Sequence, residues 1–371
     1  MARNKRNERI LIFRYGQLGD TLVALPAIRA VRNCFPEAEL TLLCDRHENS
    51  GFITAEQVLP PGLVDKVITY EARASGIELR SALSLLKRLR GERFDTLVYL
   101  APRLRSKTAI LRDLIFFHIA GVKRVFGHRG FGQLPRRSMG SGPLPSVQHE
   151  ADHLLERLRV DGITGGFSGN AMDLKLTETE HHEALQWLRS HGESGGTAWL
   201  VAFGPGSKWP SKRWPEERFL ELGKRLLEEY GFTPIVVGGP EDRLVGERLT
   251  AAWPGGLNAA GELSVRGSAA LLARCRMYVG NDNGVMHLAA AVGTPCVAIF
   301  AAQDWPGRWY PYGNGHIVLR KHPSCEGCKL FECIKYSMRC LFEIGVDEVL
   351  VACRDILNTK GQPKVPRSAT D

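Results

Sequence analysis

A strand–turn–helix–strand pattern at residues 277–300 places the strongest constraint on how this chain can fold. An apolar run ends at Gly280, and a polar turn then leads into a helix of small residues predicted over His287–Val292. A second apolar run, Cys296–Phe300, follows that helix. This order predicts two parallel strands joined by a helix.

The polar turn at residues 281–284 is the first candidate site. It lies where a parallel strand ends and a helix begins, which is where open α/β sheets bind ligands and where helix N–H groups favour phosphate. We predict that Asp282 and His287 face a ligand there. For an Asp-x-Gly turn alone, the alternative is an ordinary helix N-cap followed by a histidine in the core.

Strands alternate with helices along the rest of the chain, which predicts parallel doubly wound sheets in an α/β protein. The pattern begins at Ile10–Phe13 and restarts at Ala198–Phe203, after loose stretches between residues 165 and 197. At 371 residues the chain suits two domains. We assign residues 1–175 and 176–358 to them, and predict a disordered polar tail over 359–371.

The composition, 44% hydrophobic, is that of a soluble globular protein, and no apolar run approaches the roughly 20 residues that span a bilayer. The polar amino terminus predicts no signal peptide, so we expect the protein in the cytoplasm.

The net charge of +9 is concentrated between Arg103 and Arg137, where nine cations face the single acid Asp113. Such a patch favours a polyanionic partner: nucleic acid, an anionic membrane face or a phosphorylated glycolipid. A solvated basic face is the alternative for any single residue.

In each half of the chain, a loop follows the first strand. In the first, Gly16–Asp20 puts a carboxylate at a helix start, where it is available as a general base or serves only as an N-cap. In the second, Gly204–Pro215 offers backbone N–H groups, hydroxyls and cations, a credible diphosphate cradle. It is not a Walker loop, and no Gly-x-Gly-x-x-Gly follows the first strand.

Four ordered segments together resemble glycosyltransferase family 9, the ADP-heptose:lipopolysaccharide heptosyltransferase family. They are Leu18-Gly-Asp20 with Leu25-Pro-Ala-Ile-Arg29, the loop Gly204-Pro-Gly-Ser…Lys212-Arg-Trp-Pro215, Gly280-Asn-Asp-x-Gly-x-Met-His287, and Arg308-Trp-x-Pro-Tyr-Gly313. The resemblance implies a GT-B fold, in which two Rossmann-like domains face each other across a cleft. It also implies an inverting transfer, with the amino-terminal domain binding the acceptor and the carboxy-terminal domain binding the nucleotide sugar.

The resemblance also assigns roles. Asp20 would be the catalytic base and Lys212 would neutralise the departing diphosphate, with no cofactor required for catalysis. The implied donor-binding residues are Gly206, Ser207, Lys208, Glu241, Asp282, Asn283, Gly284 and His287. Since the basic patch falls in the acceptor half, Arg103, Arg105, Lys107, Arg129 and Arg136 are the implied acceptor-binding residues. Asn283 departs from the family's usual Ser or Thr, and residues 300–304 depart from its Phe-Gly-x-Thr-like turn.

Four cysteines, Cys325, Cys328, Cys333 and Cys340, lie within sixteen residues. In the cytoplasm such spacing favours a structural zinc or iron over disulfides, although it matches no standard zinc finger. Reduced structural thiols are the alternative, and the segment is too far from the loops in sequence to be assigned to catalysis.

We therefore predict an enzyme that moves a heptose from ADP-heptose to a lipopolysaccharide core, with peripheral contact at the cytoplasmic face of the inner membrane and no nucleic-acid partner. The nearest alternative is another nucleotide sugar, or another surface glycan or protein as acceptor. A nucleotide-dependent oxidoreductase would need the glycine fingerprint that is missing. A non-enzymatic polyanion-binding protein would bind oligonucleotides with steep salt dependence.

Overall fold

A computed structural model describes residues 7–47, 52–71, 78–132, 134–135, 142–166, 171–193 and 199–359. The chain divides into two compact units, the first formed by Met1–Pro135 and Gln148–Lys175 and the second by Arg136–Val147 and Leu176–Asp371. The described residues 142–147 belong to the second unit, which differs from the uninterrupted first domain that we predicted. They are held there by backbone contacts such as that from the Val147 N–H to the Pro306 carbonyl, at 2.8 Å.

The first unit contains a five-stranded parallel sheet. Its strands are β1 (Arg9–Phe13), β2 (Glu39–Arg46), β3 (Lys66–Glu71), β4 (Thr96–Tyr99) and β5 (Arg124–Phe126), and its helices are α1 (Leu18–Cys34), α2 (Leu79–Glu92), α3 (Lys107–Ile119) and α4 (Glu150–Val160). The strand order β3-β2-β1-β4-β5 reverses direction between β1 and β4, which is the topological switch point of this sheet.

Helices cover both faces of this sheet. The helices α2 and α3 contact each other, and α1 packs against α4. Leu85 and Leu89 of α2 and Phe117 of α3 join a core with Leu11 and Phe13 of β1. Since Ile10 to Ile12 are fully buried, the near-continuous apolar run of β1 is explained by burial on both faces.

The second unit contains a six-stranded parallel sheet in the order β11-β10-β9-β6-β7-β8. Its strands are β6 (Leu200–Gly204), β7 (Thr233–Val236), β8 (Leu257–Asn258), β9 (Met277–Asn281), β10 (Cys296–Phe300) and β11 (Ile317–Arg320). Its helices are α5 (Glu178–Ser190), α6 (Glu216–Tyr230), α7 (Arg243–Ala251), α8 (Val265–Ala273), α9 (Gly284–Ala291), α10 (Arg339–Phe342) and α11 (Val346–Thr359). The switch point lies between β6 and β9. The prediction of two doubly wound α/β sheets is therefore confirmed.

Several helix boundaries follow from local sequence signals. Thr177 and Glu180 form the predicted capping box at the start of α5, and Gly231 ends α6 in the left-handed conformation. The helix α9 begins at Gly284, three residues before the predicted start, because Asn283 caps it. Thr359, placed in the predicted tail, is the last residue of α11, and residues 360–371 lie outside the described residues.

No helix in the described part of the chain has the length and apolar character needed to cross a membrane.

Gly223 allows α6 to approach the ring of Trp253, since a Cβ atom at residue 223 would overlap the indole. We expect Gly223→Ala to lower the free energy of unfolding by about 1–2 kcal/mol, because overpacking outweighs the better helix propensity of alanine. Gly91 of α2 is the matched control, since nothing lies within 4 Å of its hypothetical Cβ. Gly91→Ala should stabilise the protein by about 0.5 kcal/mol. Urea titration of both variants checks this, and a Gly223→Ala protein as stable as the parent would contradict it.

Candidate active site

The candidate site of the second unit lies at the carboxyl ends of β6 and β9, where Gly204 is paired with Gly280. A Cβ atom at either glycine would overlap the side chain of Tyr278, so both positions require glycine. Their loops therefore leave the sheet side by side at the topological switch point. This is the place in an α/β sheet where ligands bind.

Lys212 and Asp282 form an ion pair across these two loops, with 2.6 Å between Nζ and Oδ2. The side chain of Asp282 is 8% exposed and that of Lys212 is 19% exposed. Lys212 also lies over the Trp209 ring, 5.7 Å from its centroid. The structure thus brings together the two residues that the sequence predicted as the phosphate-neutralising cation and the donor-binding carboxylate.

The loop after β6 is held by the loop after β9 through buried polar side chains. The fully buried Asn281 donates to the Pro205 carbonyl at 2.6 Å and accepts from the Trp214 N–H at 3.0 Å. The Ser207 hydroxyl donates to the Asp282 carbonyl at 3.4 Å. These bonds satisfy polar groups that burial would otherwise leave unpaired, and so fix the loop geometry.

Asn283 explains how an amide can replace the family's usual hydroxyl residue. Its Oδ1 accepts from the Met286 N–H at 2.8 Å, which is the N-cap bond that Ser or Thr would make. Its Nδ2 donates to the Gly206 carbonyl at 2.8 Å. One side chain therefore caps α9 and holds the opposite loop.

Two adjacent carboxylates lie beside Gly206 and Lys208. A Cβ atom at residue 206 would overlap the Asp242 carboxylate, so the two residues are in close contact. Burial, with the neighbouring charge of Glu241, raises the pKa of Asp242 to about 6. Burial also lowers the pKa of Lys208, against the opposing effect of Glu241 and Asp242. Glu241 was predicted as a donor-binding residue, whereas Asp242 was missed.

His287 lies in the first turns of α9, which begins at Gly284. Its side chain is buried, and its ring meets Trp309 edge-on with 6.4 Å between centroids. The predicted role of His287 in binding a donor stays a prediction.

Asp20 in the first unit follows β1, at the switch point of that sheet. It is the third residue of α1, where its side chain accepts from the N–H of the N-cap residue Gln17 at 3.1 Å. Asp20 is therefore not itself the N-cap. Its side chain keeps 29% of its surface exposed.

Arg14 is the buried partner of Asp20 and was missed by the sequence analysis. It donates to the Asp20 carbonyl at 3.1 Å, to Oδ1 of Asp20 at 3.1 Å and to the Leu100 carbonyl at 2.9 Å. Loss of solvent around the carboxylate raises the pKa of Asp20, and the charge of Arg14 and the Gln17 N–H oppose that rise. A raised pKa makes this carboxylate a better proton acceptor than an ordinary aspartate.

The predicted acceptor-binding residues of the first unit follow the carboxyl ends of β4 and β5. Arg105 lies in a network with Asp113, Tyr99 and Tyr15, including an ion pair of 2.5 Å to Asp113. This guanidinium is engaged by its own unit. Arg103 is partly exposed and donates its backbone N–H to the Glu150 carboxylate at 2.9 Å.

Lys107 is exposed at the start of α3, and Arg129 is exposed with its Nε 3.9 Å from Asp161. Arg136 lies outside the described residues. The predicted acceptor-binding role of these cations therefore stays a prediction. Among them, Arg105 is engaged by its own unit, whereas Lys107 and Arg129 are exposed.

The four clustered cysteines are free thiols that line one small cavity with Ser211 and Arg339. Burial raises the pKa of Cys325 and of Cys340. No three His, Cys, Asp or Glu side chains in the described ranges are arranged as metal ligands, these four cysteines included. A structural zinc or iron at this cluster stays a prediction, as does its alternative, reduced structural thiols.

The cysteine segment nevertheless contacts the Gly204–Pro215 loop, the predicted diphosphate cradle, which we call the donor loop. The Ser211 hydroxyl donates to the Leu330 carbonyl at 2.6 Å, and the Ser211 N–H donates to the Phe331 carbonyl at 3.2 Å. Ser211 precedes Lys212 in the chain. The segment thus supports the loop from which Lys212 extends, a contact that its distance in sequence concealed.

Comparison with known proteins agrees with this geometry. The family model "Glycosyltransferase family 9 (heptosyltransferase)" matches residues 82–337, more than half of the chain. Lipopolysaccharide heptosyltransferase 2 of Salmonella typhimurium is 36% identical over 170 residues, covering 44% of this chain and 48% of that protein. The chain thus spans about half the length of this curated relative.

Two solved structures share the fold. The family 9 glycosyl transferase from Veillonella parvula is 22% identical, with a TM-score of 0.74, covering 96% of this chain and 99% of that one. The ADP-heptose lps heptosyltransferase II of E. coli is 20% identical, with a TM-score of 0.66, covering 95% and 100%. The fold is of the GT-B type. The chain belongs to glycosyltransferase family 9.

Proposed function

We propose that this protein is an inverting glycosyltransferase that moves a heptose from ADP-heptose to a lipopolysaccharide core. The Lys212–Asp282 pair at the switch point of the second sheet carries the proposal. Family membership and the names of the relatives support the donor and the acceptor class.

Lys212 and the start of α9 supply the positive charge that a departing nucleoside diphosphate needs. The ammonium is already desolvated against Asp282, and a diphosphate would compete with that carboxylate for it. The dipole of α9 adds a partial positive charge at its start, next to Asp282. We propose that these groups suffice without a divalent metal, so that EDTA leaves the rate unchanged.

Asp20 acts as the base in this proposal. It accepts the proton of the acceptor hydroxyl as that oxygen forms its bond to the anomeric carbon. The bond from that carbon to the diphosphate breaks on the opposite side, which inverts the configuration. The raised pKa of Asp20 supports this role.

The exposed Lys107 and Arg129 and the partly exposed Arg103 support a phosphorylated acceptor. We propose that the reaction takes place at the cytoplasmic face of the inner membrane, where a soluble nucleotide sugar meets a lipid-linked core.

A panel of donors tests the proposed function. The protein is incubated with a lipid-core extract and with ADP-heptose, ADP-glucose, UDP-sugars or GDP-sugars, and release of nucleoside diphosphate is followed. We expect release from ADP-heptose only. Release from another donor alone would replace the sugar, and no release from any donor would overturn the enzymatic proposal.

The affinity for the donor should depend on pH through Asp242. Below pH about 6 its carboxyl is neutral, and above that value it is an anion beside Gly206, in the predicted diphosphate cradle. We therefore expect the KM for the donor to rise as the pH increases from 5 to 7. Asp242→Asn should flatten this profile. Glu37→Gln, which removes an exposed carboxylate in the turn after α1, should leave it unchanged. A profile that stays the same in Asp242→Asn would rule out this assignment.

A further inference from the structure

The outer faces of α2 and α3 carry an apolar surface that the proposed chemistry does not use. Leu79 is 74% exposed, Leu111 is 60% exposed and Ile115 is 51% exposed. We call this the α2/α3 surface, and its exposed apolar members are Leu79, Leu83, Leu111, Ile115 and Ile119.

These side chains form stripes rather than isolated exposures. In α3, Leu111, Ile115 and Ile119 recur every four residues, which places them along one side of a helix. The opposite side of α3 holds the buried Asp113 and Phe117. In α2, Leu79 and Leu83 have the same spacing, while Leu85 and Leu89 face the core. Each helix thus packs one face against the core and exposes a second apolar stripe to solvent.

Cations surround the stripes. The two helices carry six Lys and Arg residues against two acids. Both acids are engaged within the unit, since Asp113 pairs with Arg105 and Glu92 pairs with Arg9 and Lys66. The exposed cations on these helices are Arg80, Lys87, Arg88, Arg90, Lys107 and Arg112.

The two helices present the α2/α3 surface together. They contact each other, and Arg90 of α2 donates to the Ile119 carbonyl at the end of α3 at 2.9 Å. The helix α3 begins just after the carboxyl end of β4, the strand next to β1 and Asp20. Because β1 and β4 are parallel, the start of α3 and Asp20 both follow strand ends at the same edge of the sheet.

We propose that the α2/α3 surface docks onto an anionic lipid bilayer, with its apolar side chains in the interface and its cations on lipid phosphates. Apolar side chains flanked by Lys and Arg complement both parts of such a surface. A second copy of the same surface would instead bring like charges together. This inference rests on the proposed function in one respect, because a lipid-linked acceptor would bring the protein to a bilayer.

Sedimentation with lipid vesicles tests this inference. We expect the protein to bind phosphatidylglycerol-containing vesicles, to release as salt increases, and to bind pure phosphatidylcholine vesicles weakly. Leu111→Ser combined with Ile115→Ser should lower binding by about tenfold or more. Replacing both Arg80 and Arg88 with Glu should lower vesicle binding to a similar extent. Leu244→Ser is the matched control, because Leu244 is 67% exposed on α7 of the other unit, and it should bind like the parent.

Three results would overturn the inference: no binding of the parent to anionic vesicles, unchanged binding of both α2/α3 variants, or a dimer of the parent that the serine variant abolishes. Circular dichroism checks that the variants are folded, and sugar transfer to a delipidated core oligosaccharide checks that they are active. A parent that binds vesicles but transfers no sugar leaves this inference intact and overturns the proposed function.

Discussion

Asp20→Asn is expected to lower kcat by about 10²- to 10⁴-fold, which is the usual contribution of a general base. The amide keeps the size of the side chain but cannot accept the proton of the acceptor hydroxyl. The KM for the donor should change little, because the predicted donor-binding residues lie in the other unit. In the parent, the acid limb of kcat/KM should lie above the ordinary pKa of aspartate, since loss of solvent raises the pKa of Asp20.

Arg14→Lys refines this experiment. The guanidinium opposes the rise in the pKa of Asp20, and an ammonium cannot make all three of its contacts. The acid limb of Arg14→Lys should therefore move to higher pH, with a loss of activity that raising the pH partly recovers. Glu37→Gln serves as the control. An Asp20→Asn enzyme with more than a tenth of the parental kcat would exclude Asp20 as the base.

Lys212→Met is expected to lower kcat/KM by about 10²- to 10³-fold, the effect of removing one charge-stabilising donor from an active site. The same change leaves the carboxylate of Asp282, 8% exposed, without its ion-pair partner. We therefore also expect a loss of stability of about 2 kcal/mol.

A double variant separates these two effects. Adding Asp282→Asn to Lys212→Met removes the unpaired charge, so most of the stability should return while the activity stays low. Lys224→Met, at an exposed position of α6, is the matched control and should match the parent in both measurements. Recovery of activity in the double variant would show that Lys212 serves the fold rather than the leaving group.

The sequence was sufficient to predict the two doubly wound sheets, because buried parallel strands and amphipathic helices leave distinct periodicities. The run at β1 and the small-residue helix α9 are examples. Boundaries were less accurate where a polar side chain determined them. Asn283 starts α9 earlier than its apolar residues indicate, and Gln17 caps α1 in place of Asp20.

The candidate site was predicted only where its residues belong to local motifs. Lys212 and Asp282 each lie in a recognisable loop, and the structure pairs them. Arg14 and Asp242 were missed because their importance depends on burial beside partners, which local sequence does not reveal. Arg105 shows the opposite case. We predicted that it binds the acceptor, but its guanidinium donates to the hydroxyl of Tyr15, ninety residues earlier in the chain.

The support of Ser211 by the cysteine segment has a consequence for how the protein is made. The bond from Ser211 to Leu330 joins residues 119 apart, so the loop that carries Lys212 lacks this contact until the later segment has emerged from the ribosome. A nascent chain whose first sheet is already folded would still lack a finished donor loop. The support for Lys212 is therefore added late in synthesis, when most of the polypeptide has already been made.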